Sequence, residues 1–288
     1  MKQLRYSYYP GCSLEATAKE YNLSIQAVAK LLDVELEELE DWNCCGASSG
    51  HNTSEELSLA LPARNLAIAK KAGLDMAVAC AACFLRFKQT NHDLIDNESL
   101  RNEISEIIGT PYEGGTEVRH LVDIFAREVG LEEIKKRVKK PLKGLKVANY
   151  YRCYLVRPPE VTQFDDPENP RLMDELMSSL GAESVEWSHK VECCGGSLLL
   201  ARIDIVIKLV GDIIKAADDA GASVIVAACP LCQANLDTRQ PGPEKMPVLY
   251  FSELMGIALG VDKKTMSQWW KKHIISPQGI LKSLDLIS

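Results

Sequence analysis

The sequence predicts an α/β protein made of two pseudo-symmetric repeats, each a small parallel sheet of βαβ units flanked by helices. Three observations lead there. All ten cysteines fall into one pattern written twice: Cys12, Cys44-Cys45 and Cys80-x-x-Cys83, then Cys153, Cys193-Cys194 and Cys229-x-x-Cys232. The vicinal pairs and the Cys-x-x-Cys motifs recur at a constant offset of 149 residues and the lead cysteines at 141, so the second copy inserts eight residues before its pair. Between the cysteines, short apolar runs alternate with stretches of helical period, the signature of parallel strands joined by crossover helices.

Each copy reads as the same series of elements. A β-rich segment (Leu4–Tyr9; Val147–Tyr151) runs into the lead cysteine. A helix follows, its apolar positions Ile25, Val28, Ala29 and Leu32 spaced at helical period in the first copy. A second short strand precedes the vicinal pair, which glycine follows in both copies (Gly46; Gly195-Gly196). A longer helix is expected over roughly 55–72 and 198–220, stopped by Gly73 and Gly221 as C-caps. An apolar strand (Met76–Ala79; Val224–Ala228) then leads into Cys-x-x-Cys and another helix. The lysine-rich stretch 135–143, with Pro141 and Gly144, reads as a solvated linker. Domain boundaries follow at 1–144, 145–260 and a C-terminal tail 261–288, where Trp269-Trp270 is expected to pack in a core. The proline-rich segment 157–170 coincides with the eight extra residues and predicts a long loop beside the thiols.

With 46% apolar and 25% charged residues in 288, the chain has material for two cores. Its net charge of −7 argues against nucleic acid or an anionic membrane surface as main partner. The opening MKQLRYSYYPGC lacks the apolar run of a secretory signal. The best candidate span, Ile203–Ile214, carries Asp204, Lys208 and Asp212, so no membrane span is expected. A cytoplasmic location is expected, where cysteine motifs are ligands or redox groups more often than structural disulfides.

Cysteine at a strand end and helix N-terminus gains from free N–H groups and from the helix dipole, both of which favour anionic sulfur. Pro230 fits the first turn of the helix after Cys229. The vicinal pair places two thiolates on neighbouring residues, and the following glycine lets the backbone turn so that both reach one inorganic centre. Parallel sheets gather such groups at the carboxyl ends of their strands. Zinc and a cubane iron–sulfur cluster each need four ligands, one fewer than each copy offers. A dithiol redox motif needs only Cys-x-x-Cys and leaves three cysteines per copy unused. Five recurring thiols favour a cluster other than an ordinary cubane, with zinc in one copy or disulfide chemistry as the competing readings.

The pattern resembles the cysteine-rich CCG domain, and two tandem copies in a chain of this length look like the B-type subunits of heterodisulfide reductases. The residues that carry the likeness are YYPGC (8–12), CCG (44–46), FDDPENP (164–170), CCGG (193–196), ACPLC (228–232) and YFSELMGIALG (250–260). The resemblance implies that each copy holds a non-cubane 4Fe–4S cluster through all five of its cysteines. The ten ligands would be Cys12, Cys44, Cys45, Cys80 and Cys83, with Cys153, Cys193, Cys194, Cys229 and Cys232. It implies a disulfide reductase subunit that reduces a disulfide substrate to two thiols by one-electron steps. Its implied partners are a cubane iron–sulfur subunit and an FAD-containing subunit, whose own signatures are missing from this sequence. Similar tandem domains occur in iron–sulfur subunits of lactate, glycolate and fumarate-linked oxidoreductases, so an electron-transfer subunit is the alternative.

Where methanogen members of that family carry a histidine after the second lead cysteine, this chain has Tyr154. A tyrosine can donate a proton, but its ordinary pKa of about 10 suits it less well near neutrality. Further candidate helpers are Arg152, Arg157, His189, Lys190 and Arg202, cations close in sequence to second-copy thiols that could offset thiolate charge or hold an anionic substrate. His51 and Arg86 are their first-copy counterparts. The tyrosines Tyr8-Tyr9 and Tyr150-Tyr151 read as strand packing.

Overall fold

A computed structural model describes residues 4–47, 49–199 and 201–288. It contains two four-stranded sheets, parallel throughout. The first comprises β1 (Leu4–Tyr9), β2 (Val34–Glu38), β3 (Met76–Val78) and β4 (Val118–His120), in the order β2-β1-β3-β4. The second comprises β5 (Lys146–Tyr150), β6 (Glu183–Ser184), β7 (Val224–Ala227) and β8 (Val248–Tyr250), in the order β6-β5-β7-β8. Helices cover the sheets, and β3 and β7 are buried along their whole length, as central parallel strands must be. The edge strand β2 instead carries glutamates that reach solvent, two of which pair with Arg5 of β1.

This topology fixes where the site lies. The chain leaves β1 toward β2 on one side, then crosses back to β3 on the other, so the strand order reverses between β1 and β3. The same reversal lies between β5 and β7. Loops at such a switch point diverge and leave a crevice beyond the carboxyl ends of the strands. The lead cysteine follows β1 (or β5) and the Cys-x-x-Cys motif follows β3 (or β7), so both open onto that crevice.

The helix Glu55–Ala72 matches its expectation for local reasons. Ser54 Oγ accepts from Leu57 N, Glu55 and Glu56 occupy the first turn, Lys70 and Lys71 the last, and Gly73 closes it at φ 72°. Its second-copy counterpart departs from expectation and runs Ile203–Asp219. Gly195 adopts φ 73°, a 3₁₀ turn spans Gly196–Leu198, and Arg202 stands outside helical geometry at the N-cap. Reversing the chain after the vicinal pair uses the residues that were expected to be helical; residue 200, inside the expected span, lies outside the described ones.

The two halves share one core. Tyr21, on the helix Lys19–Leu31, stacks on Tyr250 at 3.9 Å between centroids, and Ser24 Oγ meets Ser252 Oγ at 2.6 Å. The linker's lysines reach solvent, yet its backbone is docked: Lys139 N and Lys140 N both donate to Ala258 O. Trp269 and Trp270 are buried, as expected. Trp269 fills the space beside Gly256, where an added Cβ would come within 2.6 Å of its ring. Gly256→Ala is therefore expected to cost about 1–3 kcal/mol through overpacking, read as a lower melting temperature by circular dichroism. Among the described residues no helix is long and apolar enough to cross a membrane.

Candidate functional site

No two of the ten cysteines are joined in a disulfide. In the first half Cys12 Sγ lies 3.7 Å from Cys44 Sγ, and Cys45 Sγ 3.2 Å from Cys83 Sγ. In the second, Cys194 Sγ lies 3.4 Å from Cys232 Sγ, while Cys153 and Cys193 share a hydrogen bond. Two thiolates on one tetrahedral metal, with metal–sulfur bonds of about 2.3 Å, sit about 3.8 Å apart, whereas a disulfide is about 2.05 Å long. Soft thiols at these separations fit metal ligation and suit iron–sulfur chemistry. They are arranged in pairs, and among the described residues no three His, Cys, Asp or Glu side chains are set to hold a single ion.

Each vicinal loop is pinned by a tyrosine placed three residues before the lead cysteine. Tyr9 Oη accepts from Cys45 N at 2.9 Å and donates to Asn43 O at 3.0 Å. Tyr150 Oη donates to Glu192 O, the equivalent carbonyl before the second pair. These tyrosines are buried in the core, as expected, but their hydroxyls also position the thiols. Asn65 holds Asn43 from the helix Glu55–Ala72, with Oδ1 accepting from Asn43 N and Nδ2 donating to Asn43 O. In the second half Asn235 Nδ2 donates to Cys194 O at 2.9 Å.

The two halves meet at their Cys-x-x-Cys motifs. Cys80 and Cys229 are the N-caps of the helices Ala81–Ile95 and Pro230–Thr238, and their Sγ atoms approach to 3.8 Å. His120, at the end of β4, lies between the two chain segments. Its Nε2 is 3.0 Å from Ala79 O and 3.1 Å from Ala228 O, the carbonyls immediately before Cys80 and Cys229. Nδ1 accepts from Val122 N, so Nε2 carries the proton and is shared between the two carbonyls. Burial holds this imidazole neutral, with its pKa pulled down to about 4.

Hydrogen bonding between thiols splits their ionisation. The bond from Cys12 lowers Cys44 to about 2 while raising Cys12, and the bond from Cys153 lowers Cys193 to about 6 while raising Cys153. Six cysteines are buried (Cys45, Cys80, Cys83, Cys194, Cys229 and Cys232), whereas Cys12 and Cys193 are exposed and Cys44 and Cys153 half-buried. Each set thus has a dry inner end and a wet outer rim.

Among the described candidate helpers, Arg152 alone has a hydrogen bond to a thiol. It is 4% exposed, with Nη1 2.8 Å from Cys229 Sγ and the Tyr154 ring 4.4 Å from its guanidinium carbon. Tyr154 itself is half-buried. Arg157 folds the 157–170 loop onto itself through Pro167 O and Glu168. Lys190 is 2% exposed and its ammonium is taken up by Asp174, Glu186, Asn169 and Pro170 O, tying that loop to the helix Leu172–Ser179. His189 is half-buried with Nδ1 against Ser188 Oγ, and Arg202 is exposed and paired to Asp204. Arg86 Nε is buried and has no hydrogen-bond partner among the described residues. The side chain of His51 lies outside the described residues.

Sequence reasoning overlooked His120 and the roles of Asn65 and Asn235. His120 is 33 residues from Cys153 and 37 from Cys83, the thiols on either side of it, and nothing local marks it. The tyrosine ties were within reach, since Tyr9 and Tyr150 recur at the same offset as the lead cysteines.

The family model for the cysteine-rich domain CCG matches residues 6–88 and 147–237. The chain is 34% identical over 274 residues to the 8-methylmenaquinol:fumarate reductase membrane anchor subunit of Wolinella succinogenes, covering 92% of this chain and 95% of that one. It is 29% identical over 280 residues to an Archaeoglobus profundus protein like the B-type subunits of heterodisulfide reductases (92% and 93%). It is 28% identical over 269 residues to the B-type component of a CoB-CoM heterodisulfide reductase of Methanosarcina acetivorans (89% of each). Among solved structures, a hypothetical protein from Helicobacter pylori shares the fold, with a TM-score of 0.72 at 13% identity over 96% of this chain. This chain spans about half of that one, 52%. The two matched segments take in more than half the residues and hold all ten thiols, so the chain belongs to the cysteine-rich CCG domain family and carries that domain twice.

Proposed function

We propose that the chain is the catalytic iron–sulfur subunit of a heterodisulfide-reductase-like complex, each half holding a non-cubane 4Fe–4S cluster through its five cysteines. The observation that carries this reading is the contact of the two thiol sets across the halves, Cys80 Sγ to Cys229 Sγ at 3.8 Å. When bound, such clusters supply one-electron steps. Reducing a disulfide to two thiols takes two electrons and two protons, so two adjoining clusters held by the two thiol sets would supply one electron each. The exposed rim at Cys12 and Cys193 gives a disulfide substrate its approach, and the buried end at Cys80 and Cys229 keeps water away. Tyr154, directly after Cys153, is the proposed proton donor, with His189, also half-buried, as the second candidate. Arg157 and Lys190 act by shaping the 157–170 loop, and Arg202 lies at the outer surface. The electrons come from a partner with cubane clusters, fed by an FAD-containing subunit.

Protein purified without oxygen is expected to contain about eight irons with matching sulfide, and with reduced viologen to convert a disulfide to titratable thiols. Little iron under strict anaerobiosis overturns the reading, and about four irons with one zinc would reduce one half to a scaffold. The second reading is an electron-transfer subunit of a fumarate-type oxidoreductase, favoured by the 34% identity to the Wolinella subunit. Eight irons without thiol formation from any disulfide would select it.

A further inference from the structure

Position 152 sets the two halves apart. It precedes the second lead cysteine, and its counterpart before the first is Gly11. Both share the same backbone torsion, φ 71°, and at Arg152 ψ is 150°. That combination is a region occupied almost only by glycine, so a side chain there is held under strain. Burying a guanidinium is a further cost unless a counter-charge meets it. Among the described residues no carboxylate pairs with Arg152; its Nη1 instead meets Cys229 Sγ at 2.8 Å. A strained, buried arginine with no carboxylate beside it is a fixed positive charge held against the second thiol set. The Tyr154 ring covers the guanidinium, 4.4 Å from its carbon. With glycine at position 11, the first thiol set has no such cation at the equivalent place.

We infer that Arg152 makes the two thiol sets electrically unequal, so that the second-half centre accepts an electron at a less negative potential than the first. This rests on the reading that both halves carry redox centres. A fixed positive charge beside a reducible centre stabilises the added electron, and low dielectric strengthens the effect. Electrons arriving singly from a one-electron donor therefore settle first on the second half. The first-half centre is reduced next, which readies the pair for a two-electron cleavage. Arg152 touches a ligand sulfur and acts through it, so it is a positioning residue.

The test is a redox titration of the anaerobic iron-loaded chain with dithionite, followed by electron paramagnetic resonance. Two transitions are expected in the wild type. Arg152→Gly, which copies the first repeat, should move both to more negative potential, the second-half centre further than the first, because Cys80 lies 3.8 Å beyond the sulfur that Arg152 touches. The expected shift of the second-half centre is at least tenfold in the one-electron equilibrium constant, about 59 mV. Arg152→Lys keeps the charge and should restore most of the separation. Arg152→Gln, neutral and close in length, provides a second charge-free variant should the glycine chain fail to assemble its centres. Full iron content with potentials indifferent to Arg152→Gly and Arg152→Gln overturns the inference while leaving the cluster reading intact. A wild-type chain without iron overturns both.

Discussion

Replacing Cys229 by alanine is expected to cost the metal-free chain about 3–5 kcal/mol, whereas Cys80→Ala costs much less, though the two residues are pseudo-equivalent. The difference lies in what each thiol faces. Cys229 Sγ is the counter-charge of Arg152 at 2.8 Å, and removing one member of a buried charge pair leaves the other uncompensated. Cys229 is held well below the usual thiol range; burial opposes ionisation, but hydrogen bonds from Cys232 and Cys80 and the charge of Arg152 prevail. Cys80 contacts Cys229 and Cys83, and the pull between thiols leaves it raised. Chemical denaturation of both variants under anaerobic, metal-free conditions measures the gap. The double variant Cys229→Ala/Arg152→Gly should regain most of the loss, because it removes the stranded charge and the strained backbone together. Equal destabilisation by the two single alanine variants would refute the ion-pair account. On reconstitution each single variant is expected to lose the iron of its own half, falling from about eight to about four.

His120 gives the second large effect, through pH. Its pKa is about 4 when folded, against about 6.5 free, so between those values the unfolded chain binds more protons. Stability contributed by the neutral ring is complete above pH 6.5 and is lost as pH falls toward 4, about 3 kcal/mol in all. His273 acts in the opposite sense. Burial would lower it, but the adjacent Glu253 carboxylate at 2.9 Å more than compensates and brings it up to about 9. Its contribution is complete below about pH 6.5 and is lost as pH rises through 9. In the metal-free chain the lowered thiols Cys44 and Cys193 add their own gain in stability as pH rises, so each histidine is read by difference, wild type against variant, in denaturation from about pH 4 to 9. His120→Gln should make the acid limb, the fall in stability from about pH 6.5 to 4, less steep and leave the dependence above about pH 6.5 in place. It should also cost about 1–3 kcal/mol near neutrality, because Val122 N loses its acceptor. An unchanged acid limb in that variant would exclude His120 as its source.

The sheets were legible because buried parallel strands are written in apolar runs: β3 and β7 stand almost where their residues predict. Helix Glu55–Ala72 was legible from Ser54 and Gly73, which act locally. The start of Ile203–Asp219 was not, because a glycine reversal after the vicinal pair overrides helical period. The ten thiols announced themselves by spacing, but the contact of Cys80 with Cys229 depends on how two domains dock, which neither motif encodes. Nearness in sequence served poorly for the cations. Lys190, three residues before a thiol, is consumed by Asp174 and the 157–170 loop, while Arg152 turns inward and meets Cys229 of the Cys-x-x-Cys motif far along the chain. His120 had no signal at all: its partners are two carbonyls that any residue could supply.

The single imidazole between Ala79 O and Ala228 O bears on ancestry. In a homodimer of one repeat, two-fold symmetry would duplicate every side chain and bring two histidines to the axis, where one proton can be shared. By strand register the counterpart of His120 is Tyr250, which faces Ala227 as His120 faces Val78 and stacks on Tyr21 instead. Joining the repeats in one polypeptide released each copy from matching the other. An odd number of groups could then settle at a junction that a symmetric ancestor had to furnish in pairs.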